Sequence, residues 1–214
     1  MTCNIVIAYY CDHNFLKLLD TFKERFSYPY NTIIYNKSET EILLENDSIQ
    51  KKVENIGREG ETYLNHIINN YDNLSDYTIF IQDDTHNHIP NYNTFIAFCN
   101  DIIKNKQKFA LYPSSWRVGG SPVKRKIING VCNLHTFPSS DSIKHYCNNN
   151  DIYLPKEYTT ETCAFFICHR DSIVNHPKTF YIKLRNWLLG NDKNGFVLEH
   201  MWKLILSEHP LTST

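Results

Sequence analysis

Residues 55–84 read NIGREGETYLNHIINNYDNLSDYTIFIQDD and place a helix, a strand and a polar strand end in one continuous stretch. Apolar residues recur at helical spacing through 63–71, which predicts a helix, and the apolar run 77–81 predicts a buried strand. The strand ends in the triplet QDD at residues 82–84. A helix that leads into a strand without a hairpin signal is the unit from which parallel α/β sheets are built.

The same alternation continues on both sides of this stretch. Alternating strands and helices predict a mostly parallel, Rossmann-like central sheet flanked by helices, and a length of 214 residues fits one α/β domain. The predicted strands are 4–10, 32–35, 77–81, 108–112 and 163–168, and the predicted helices are 15–26, 63–71, 93–103, 180–189 and 196–206.

Residues 113–156 differ from the rest of the chain because glycines, prolines and an asparagine run interrupt every periodic pattern. We expect a long irregular excursion here, with a basic cluster at 124–126. Long structureless loops are uncommon in compact domains and are often functional. The segment is therefore either a surface loop or a substrate-binding excursion.

Composition excludes several classes of protein. The formal net charge of -1 leaves no basic field for nucleic acid. No stretch approaches the roughly 20 apolar residues that a transmembrane segment needs, so we expect none. Residues 1–14 lack a basic lead-in and a cleavage site, which indicates a first strand and not a signal peptide. Seven cysteines without a CxxC pair are expected to be reduced, and together these features predict a cytoplasmic protein.

The strand ends carry the candidate site, because ligands of open parallel sheets bind beyond the carboxyl ends of the strands. Asp83 and Asp84 follow the apolar strand directly, and two adjacent carboxylates repel each other unless a cation lies beside them. Mn²⁺ and Mg²⁺ prefer carboxylate oxygens and keep positions open for phosphate and water. The pair therefore indicates a divalent metal site, and the alternative is an acidic turn with both side chains in solvent.

His86 and His88 open a second interpretation. In an extended segment, an H-x-H spacing places both imidazoles on one side, and this geometry suits zinc. Asp84, His86 and His88, completed by a distant carboxylate or histidine, would then hold a zinc-bound water in a hydrolase. The alternative is that both are surface histidines.

Three further positions combine charge with the start of an element. Residues 55–60 precede a predicted helix, so their backbone amides and Arg58 form an anion site in outline. The alternative is that Arg58 is an ordinary surface residue or a partner for Glu61. Glu199 lies in the first turns of the last helix, and Glu161 comes just before an apolar strand. Either carboxylate could be a positioned base or acceptor ligand, or could only stabilise the start of its element.

Three motifs resemble a known family: NIGREGETYLNHIINNYDNLSDYTIFIQDD at 55–84, CAFFICHRDSIVNHPKTFYIKLRNWLL at 163–189 and LEHMWKLIL at 198–206. The first motif is long and specific. Together they resemble glycosyltransferases of the GT-A fold found among small proteins of fungi, bacteria and large DNA viruses, including a chlorella virus domain implicated in capsid-glycan synthesis. The resemblance covers most of the chain except the middle segment.

The resemblance implies a glycosyltransferase that uses Mn²⁺ or Mg²⁺ to move a sugar from a nucleotide-sugar donor, with a UDP-sugar preferred, to a glycan or protein-linked glycan acceptor. Residues 1–112 would form the nucleotide-binding half and residues 113–214 the acceptor-side half. A module that binds a nucleotide-sugar without turnover is a third interpretation. The implied roles are metal binding for Asp84 and Asp83, nucleotide-sugar binding for Ala8, Tyr10, Asp12, Lys37, Arg58, Gln82 and Asp83, and catalysis for Glu199, with Glu161 as the second candidate.

Overall fold

A six-stranded sheet forms the centre of the protein, and the computed structural model describes residues 1–42, 48–114, 124–132, 141–150, 152–161 and 165–207. In chain order the elements are β1 (Cys3–Tyr9), α1 (Asn14–Arg25), β2 (Tyr30–Asn36), β3 (Ile49–Lys52), α2 (Arg58–Asn70), a short 3₁₀ turn (Tyr71–Asn73), β4 (Tyr77–Gln82), α3 (Thr85–His88), α4 (Tyr92–Lys104), β5 (Phe109–Leu111), β6 (Lys124–Ile128), β7 (Val131–Cys132), α5 (Asp141–Asn149), β8 (Glu157–Glu161), β9 (Phe166–His169), α6 (Arg170–Val174), α7 (Lys178–Leu189) and α8 (Asn194–Leu206).

The strand order of the central sheet is β3-β2-β1-β4-β9-β5. β3, β2, β1 and β4 run parallel to one another, while β9 pairs antiparallel with both β4 and β5. From β1 the chain moves outward to β2 and β3 and then returns to β4 on the other side of β1. The order therefore reverses between β1 and β4, and this switch point is where an α/β sheet opens a crevice for ligands.

Helices cover both faces of the sheet, as the alternating pattern predicts. Val6 and Ala8 of β1 face one apolar cluster, which α2, α7 and α8 complete. Ile5 and Ile7 face the other cluster, which α1 and α4 complete. Successive residues of a strand point to opposite faces, so a continuous apolar strand is buried on both sides. The single α/β domain with a mostly parallel sheet is thus confirmed.

The predicted strands and helices coincide with observed elements within a few residues, but several observed elements, α3 among them, were not predicted. The strand β3 was not predicted, because IQKK at 49–52 lies at the sheet edge and three of its four residues are exposed. The short helix α6 was not predicted either.

The segment 113–156, predicted to be irregular, contains β6, β7 and α5 within its described parts, and β8 completes a second, three-stranded sheet of order β7-β6-β8. Its residues 115–123, 133–140 and 151 lie outside the described residues, as do residues 162–164 of the predicted strand 163–168. Since β9 lies between β4 and β5, the central sheet takes strands from both sides of the division at residue 112.

Two general expectations can be compared with the structure. None of the described helices is both long and apolar enough to cross a membrane. Free thiols are observed at the five cysteines whose side chains are described, as predicted: Cys3, Cys11, Cys99, Cys147 and Cys168.

His66 on α2 makes stability dependent on pH. Its side chain is fully buried between Tyr35 and Phe80, and the Tyr35 hydroxyl lies 3.1 Å from Nδ1. Burial, helped by the charge of Lys51, lowers the pKa of His66 to about 4. The unfolded chain takes up this proton near pH 6.5 and the folded protein only near pH 4, so the stability that His66 contributes is full above about pH 6.5 and is lost as the pH falls toward 4.

We expect the substitution His66→Gln to remove about 3 kcal/mol of the stability change between pH 7 and pH 4, because glutamine does not titrate. Urea unfolding at several pH values measures the change. A His66→Gln profile parallel to that of the wild type would contradict the expectation.

Candidate functional site

A cavity of about 440 Å³ opens at the switch point of the sheet. Ala8 of β1 and Gln82 of β4 are partners in the parallel register and mark the point where the two strands end. The cavity lies between these strand ends and the first turns of α2 and α8. Its lining residues are Ala8, Tyr9, Tyr10, Lys37, Asn55, Arg58, Glu59, Gln82, Asp83, Asp84, His88, Phe196 and Glu199.

Asp83 holds the turn that follows β1. Its Oδ2 atom accepts hydrogen bonds from the backbone N–H groups of Tyr10, Cys11 and Asp12 at 2.8, 2.8 and 2.9 Å. The side chain is nearly buried, and charge-assisted bonds of this kind are about twice as strong as neutral ones. One carboxylate oxygen of Asp83 is therefore committed to shaping the cavity wall that carries Tyr10.

Asp84 presents its carboxylate to the cavity. The side chain is 39% exposed, Asn87 Nδ2 donates to Oδ1 at 2.8 Å, and His88 Nε2 lies 3.5 Å from Oδ2. Both neighbours come from α3, the single helical turn that begins immediately after Asp84. The adjacent aspartates thus have different environments, because Asp83 faces backbone amides and Asp84 faces the open cavity.

The expected side-by-side arrangement of His86 and His88 is wrong. Residues 85–88 form the helical turn α3, and in a helix residues two apart point in different directions. His88 lines the cavity, whereas His86 is exposed and is absent from its lining. The strand does not extend past the QDD triplet, so the two histidine side chains do not point to the same side.

The donor groups of the cavity fit a hard divalent cation. Among the residues that the structure describes, no group of three or more His, Cys, Asp or Glu side chains is placed to hold a metal. Zinc centres use three or four protein ligands, so the described chain offers no such set to a zinc hydrolase. Mg²⁺ and Mn²⁺ need only one or two carboxylates when a ligand phosphate and water complete the coordination, and Asp84 meets that requirement.

Arg58 starts α2 in an unusual backbone conformation. Gly57 and Arg58 have φ of 61° and 56°, and a left-handed conformation is uncommon for a residue with a side chain. The guanidinium stacks on the Phe196 ring, with 4.2 Å between Cζ and the ring centroid. Gly195 leaves room for this contact, since a Cβ there would lie 2.7 Å from Arg58 Cδ. The arrangement places a cation in the cavity wall at a helix start, as an anion site requires.

Lys37 lines the cavity, but its ammonium faces the protein. Nζ donates to the carbonyls of Ile56 and Arg58 at 2.6 and 2.5 Å and lies 3.5 Å from Glu61 Oε2. Burial lowers the pKa of Lys37, and the Glu61 carboxylate opposes this effect. The predicted contact between Lys37 and a phosphate or sugar therefore has no free N–H group in the described structure.

Glu199 of α8 lies in the cavity wall and is nearly buried. The other predicted carboxylates lie elsewhere. Asp12 is absent from the lining, and its Oδ1 accepts from the backbone N–H and the side-chain amide of Asn14 at 2.8 and 2.7 Å. Glu161 ends β8 in the second sheet, opposite Lys124, and is also absent from the lining. The structure thus brings Glu199, but not Glu161, to the cavity.

Four members of the lining had no individual role predicted from the sequence, and the first of them is Tyr9 at the end of β1. Asn55 and Glu59 flank the Gly57–Arg58 turn, and Phe196 has the spacing of a core residue of α8. An apolar position close to a glycine at a helix start is the feature that could have identified Phe196. Its role as a platform for Arg58 depends on how α8 packs beside α2, which no local pattern encodes.

The cavity carries an excess of negative charge. A bare phosphate ligand would meet this repulsion, while a ligand accompanied by a divalent cation would not. The carboxylates that line it are those of Glu59, Asp83, Asp84 and Glu199, and the basic side chains are Lys37 and Arg58.

The sequence matches the model of the family described as Protein of unknown function (DUF3431) over residues 22–213. This range covers most of the chain, which therefore belongs to that family. The match begins within α1, so it includes the cavity residues supplied by α2, β4 and α8. No curated protein and no solved structure matches the sequence.

Proposed function

We propose that this DUF3431 family member is a metal-dependent glycosyltransferase of the GT-A type, which moves a sugar from a nucleotide-sugar donor, with a UDP-sugar preferred, to a glycan or protein-linked glycan. One observation carries the proposal. A single cavity at the switch point of the sheet is lined by Asp84 from the end of β4, Arg58 from the start of α2 and Glu199 from the start of α8. These are a metal ligand, an anion-binding cation and a carboxylate for the acceptor.

The donor side of the cavity is the edge formed by β1, β4 and α2. The nucleoside would lie along Ala8, Tyr10 and Gln82, where the two strands end side by side. The diphosphate would lie between Asp84 and Arg58, with the amino-terminal end of α2 directed toward it. Arg58 is suited to this role because its guanidinium is permanently charged and is oriented by the Phe196 ring.

Asp84, with His88 and Asn87 beside it, would hold the cation. A bound Mn²⁺ or Mg²⁺ would neutralise the diphosphate and so stabilise the nucleoside diphosphate as the leaving group. Arg58 adds a second positive charge to the same oxygens. Fixed charges aimed at the developing negative charge are usually the largest contribution that a site makes to catalysis.

Glu199 lies on the acceptor side, across from the strand ends. In the transfer, the bond from the anomeric carbon to the diphosphate oxygen breaks and a bond from the acceptor oxygen to that carbon forms. In an inverting reaction Glu199 would take the proton of the acceptor hydroxyl as a general base. In a retaining reaction the departing diphosphate oxygen would take this proton, and Glu199 would bind the acceptor.

Thermal unfolding with Mn²⁺ and a nucleotide tests the proposal directly. We expect Mn²⁺ and a matching nucleotide diphosphate together to raise the melting temperature by about 5–10 °C, since a ligand at 100 times its Kd adds roughly 2.7 kcal/mol. UDP, GDP and TDP, each with and without Mn²⁺, form the panel. Either component alone should give a much smaller shift, because the cavity repels a bare diphosphate.

Turnover of the matching nucleotide-sugar distinguishes the alternatives. Mn²⁺-stimulated release of the nucleoside diphosphate supports the transferase. A thermal shift without release supports a binding module, and stoichiometric zinc in the purified protein with phosphoester or amide hydrolysis supports the zinc hydrolase. No shift and no release with any donor of the panel would contradict the proposed function.

A further inference from the structure

We propose that Lys37, Glu61 and Arg185 form an ion triad, buried at Lys37 and Glu61, that positions Arg58, and that Lys37 itself contacts no ligand. The inference rests on the proposed function in one respect, since Arg58 must meet a phosphate group for its position to affect binding. The triad joins the chain just after β2, the first turn of α2 and the middle of α7.

The ammonium group of Lys37 has its hydrogen-bond partners within the protein. An ammonium has three N–H donors, and three acceptors surround Nζ: the carbonyls of Ile56 and Arg58 and the carboxylate of Glu61. The side chain is only 3% exposed although it lines the cavity. All of its donors are therefore directed at the protein, and none remains for a phosphate.

The two carbonyls that Lys37 binds enclose Gly57. The next residue, Arg58, adopts a left-handed conformation that side chains disfavour, so this turn needs an external constraint to persist. Charge-assisted bonds to the carbonyls on both sides of Gly57 supply that constraint. The N–H of Glu61 adds a bond to the Gly57 carbonyl at 3.1 Å. These bonds fix the backbone of the turn and therefore the direction in which the Arg58 side chain points.

Glu61 and Arg185 anchor Lys37 in turn. Arg185 Nε and a terminal nitrogen donate to Glu61 Oε1 at 3.0 and 2.8 Å, while Lys37 lies at the other carboxylate oxygen. Each oxygen of Glu61 thus has its own cation. A buried charge network is costly to form, and retaining one beneath a strained turn is consistent with a requirement for fixed geometry.

A double-mutant cycle on Lys37 and Arg58 tests positioning against direct contact. The probe is inorganic pyrophosphate with Mn²⁺, and its affinity is measured by calorimetry. We expect Lys37→Met to weaken pyrophosphate binding about ten-fold in the wild type and less than two-fold in an Arg58→Ala background, since a residue that acts through Arg58 has no effect without it. Lys178→Met, at an exposed ion pair with Asp72, is the control and should leave the affinity unchanged.

Hydrogen exchange supplies a readout that needs no ligand. We expect the Glu61 amide, which bonds to the Gly57 carbonyl, to exchange at least ten-fold faster in Lys37→Met, with the amides of β1 and β4 unaltered. If Lys37→Met does not fold, the pair Lys37→Met with Glu61→Gln removes both buried charges and gives the same readouts. Arg185 is 34% exposed and can then be hydrated.

Each outcome decides the proposal. An equal loss of affinity in both backgrounds would show that Lys37 contacts the phosphate and would overturn it, as would unchanged affinity and exchange. If the wild type binds no pyrophosphate, the proposed function fails and the exchange rates alone decide the positioning role. Faster exchange of the Glu61 amide then supports it, and unchanged exchange overturns it.

Discussion

Asp84→Asn is expected to reduce Mn²⁺-stimulated turnover of the nucleotide-sugar about 100-fold to 1000-fold, the range seen when one preorganised group that stabilises developing charge is removed from an active site. Asparagine keeps an oxygen for the bond from Asn87 Nδ2, so the start of α3 should remain in place. The change removes the negative charge that a divalent cation requires. Steady-state release of the nucleoside diphosphate over a Mn²⁺ titration measures the effect.

The control for this substitution is Asp72→Asn. Asp72 is 80% exposed, lies in the short 3₁₀ turn after α2 and pairs only weakly with Lys178, so the same chemical change there should leave turnover within about two-fold. The melting temperature without ligand should be similar in both variants and in the wild type. Undiminished Mn²⁺ dependence in Asp84→Asn would show that the cation is held elsewhere, and the metal role of Asp84 would be abandoned.

The strand and helix patterns were sufficient to predict the region that contains the site. The buried runs at 4–10 and 77–81 are continuous and apolar, as strands covered on both faces must be, and the helical spacing at 63–71 is regular. If the strands predicted at 4–10 and 77–81 are parallel neighbours, their carboxyl ends meet at one edge of the sheet, where ligands bind. Tyr10 and Asp83 then lie at that edge. The cavity lining confirms that both residues, with Arg58, Asp84 and Glu199, come together there.

Roles that depend on hydrogen-bond partners were not predictable from the same patterns. Asp83 and Asp84 are adjacent and identical in type, yet one binds three backbone amides and the other faces the cavity. Lys37 lies at a strand end, where a phosphate contact is a natural expectation, but α2 brings two carbonyls and Glu61 to its ammonium. Such hydrogen-bond partners come from elements distant in sequence, so local periodicity does not predict them.

Asp83→Ala is expected to destabilise the protein by about 3–5 kcal/mol, because it leaves the amides of Tyr10, Cys11 and Asp12 without their shared acceptor. For a chain of this length that is a fall of roughly 10 °C in melting temperature. Asp83→Asn keeps one acceptor oxygen and loses only the charge, so we expect about half of the effect. Urea unfolding of both variants measures the free energies.

Asp12→Ala is the matched control, since the Asp12 carboxylate bonds only within its own turn, to Asn14, and should contribute about 1 kcal/mol. If Asp83→Ala were no more destabilising than this control, the three amides would be satisfied by water and Asp83 would not hold the turn.

Turnover measurements on Asp83→Asn distinguish a structural role of Asp83 from metal binding. A loss in Asp83→Asn as deep as that in Asp84→Asn, at nearly unchanged stability, would make Asp83 a second metal ligand through its other oxygen, Oδ1. A loss of turnover in proportion to the loss of unfolding free energy would show that Asp83 only shapes the cavity wall that carries Tyr10.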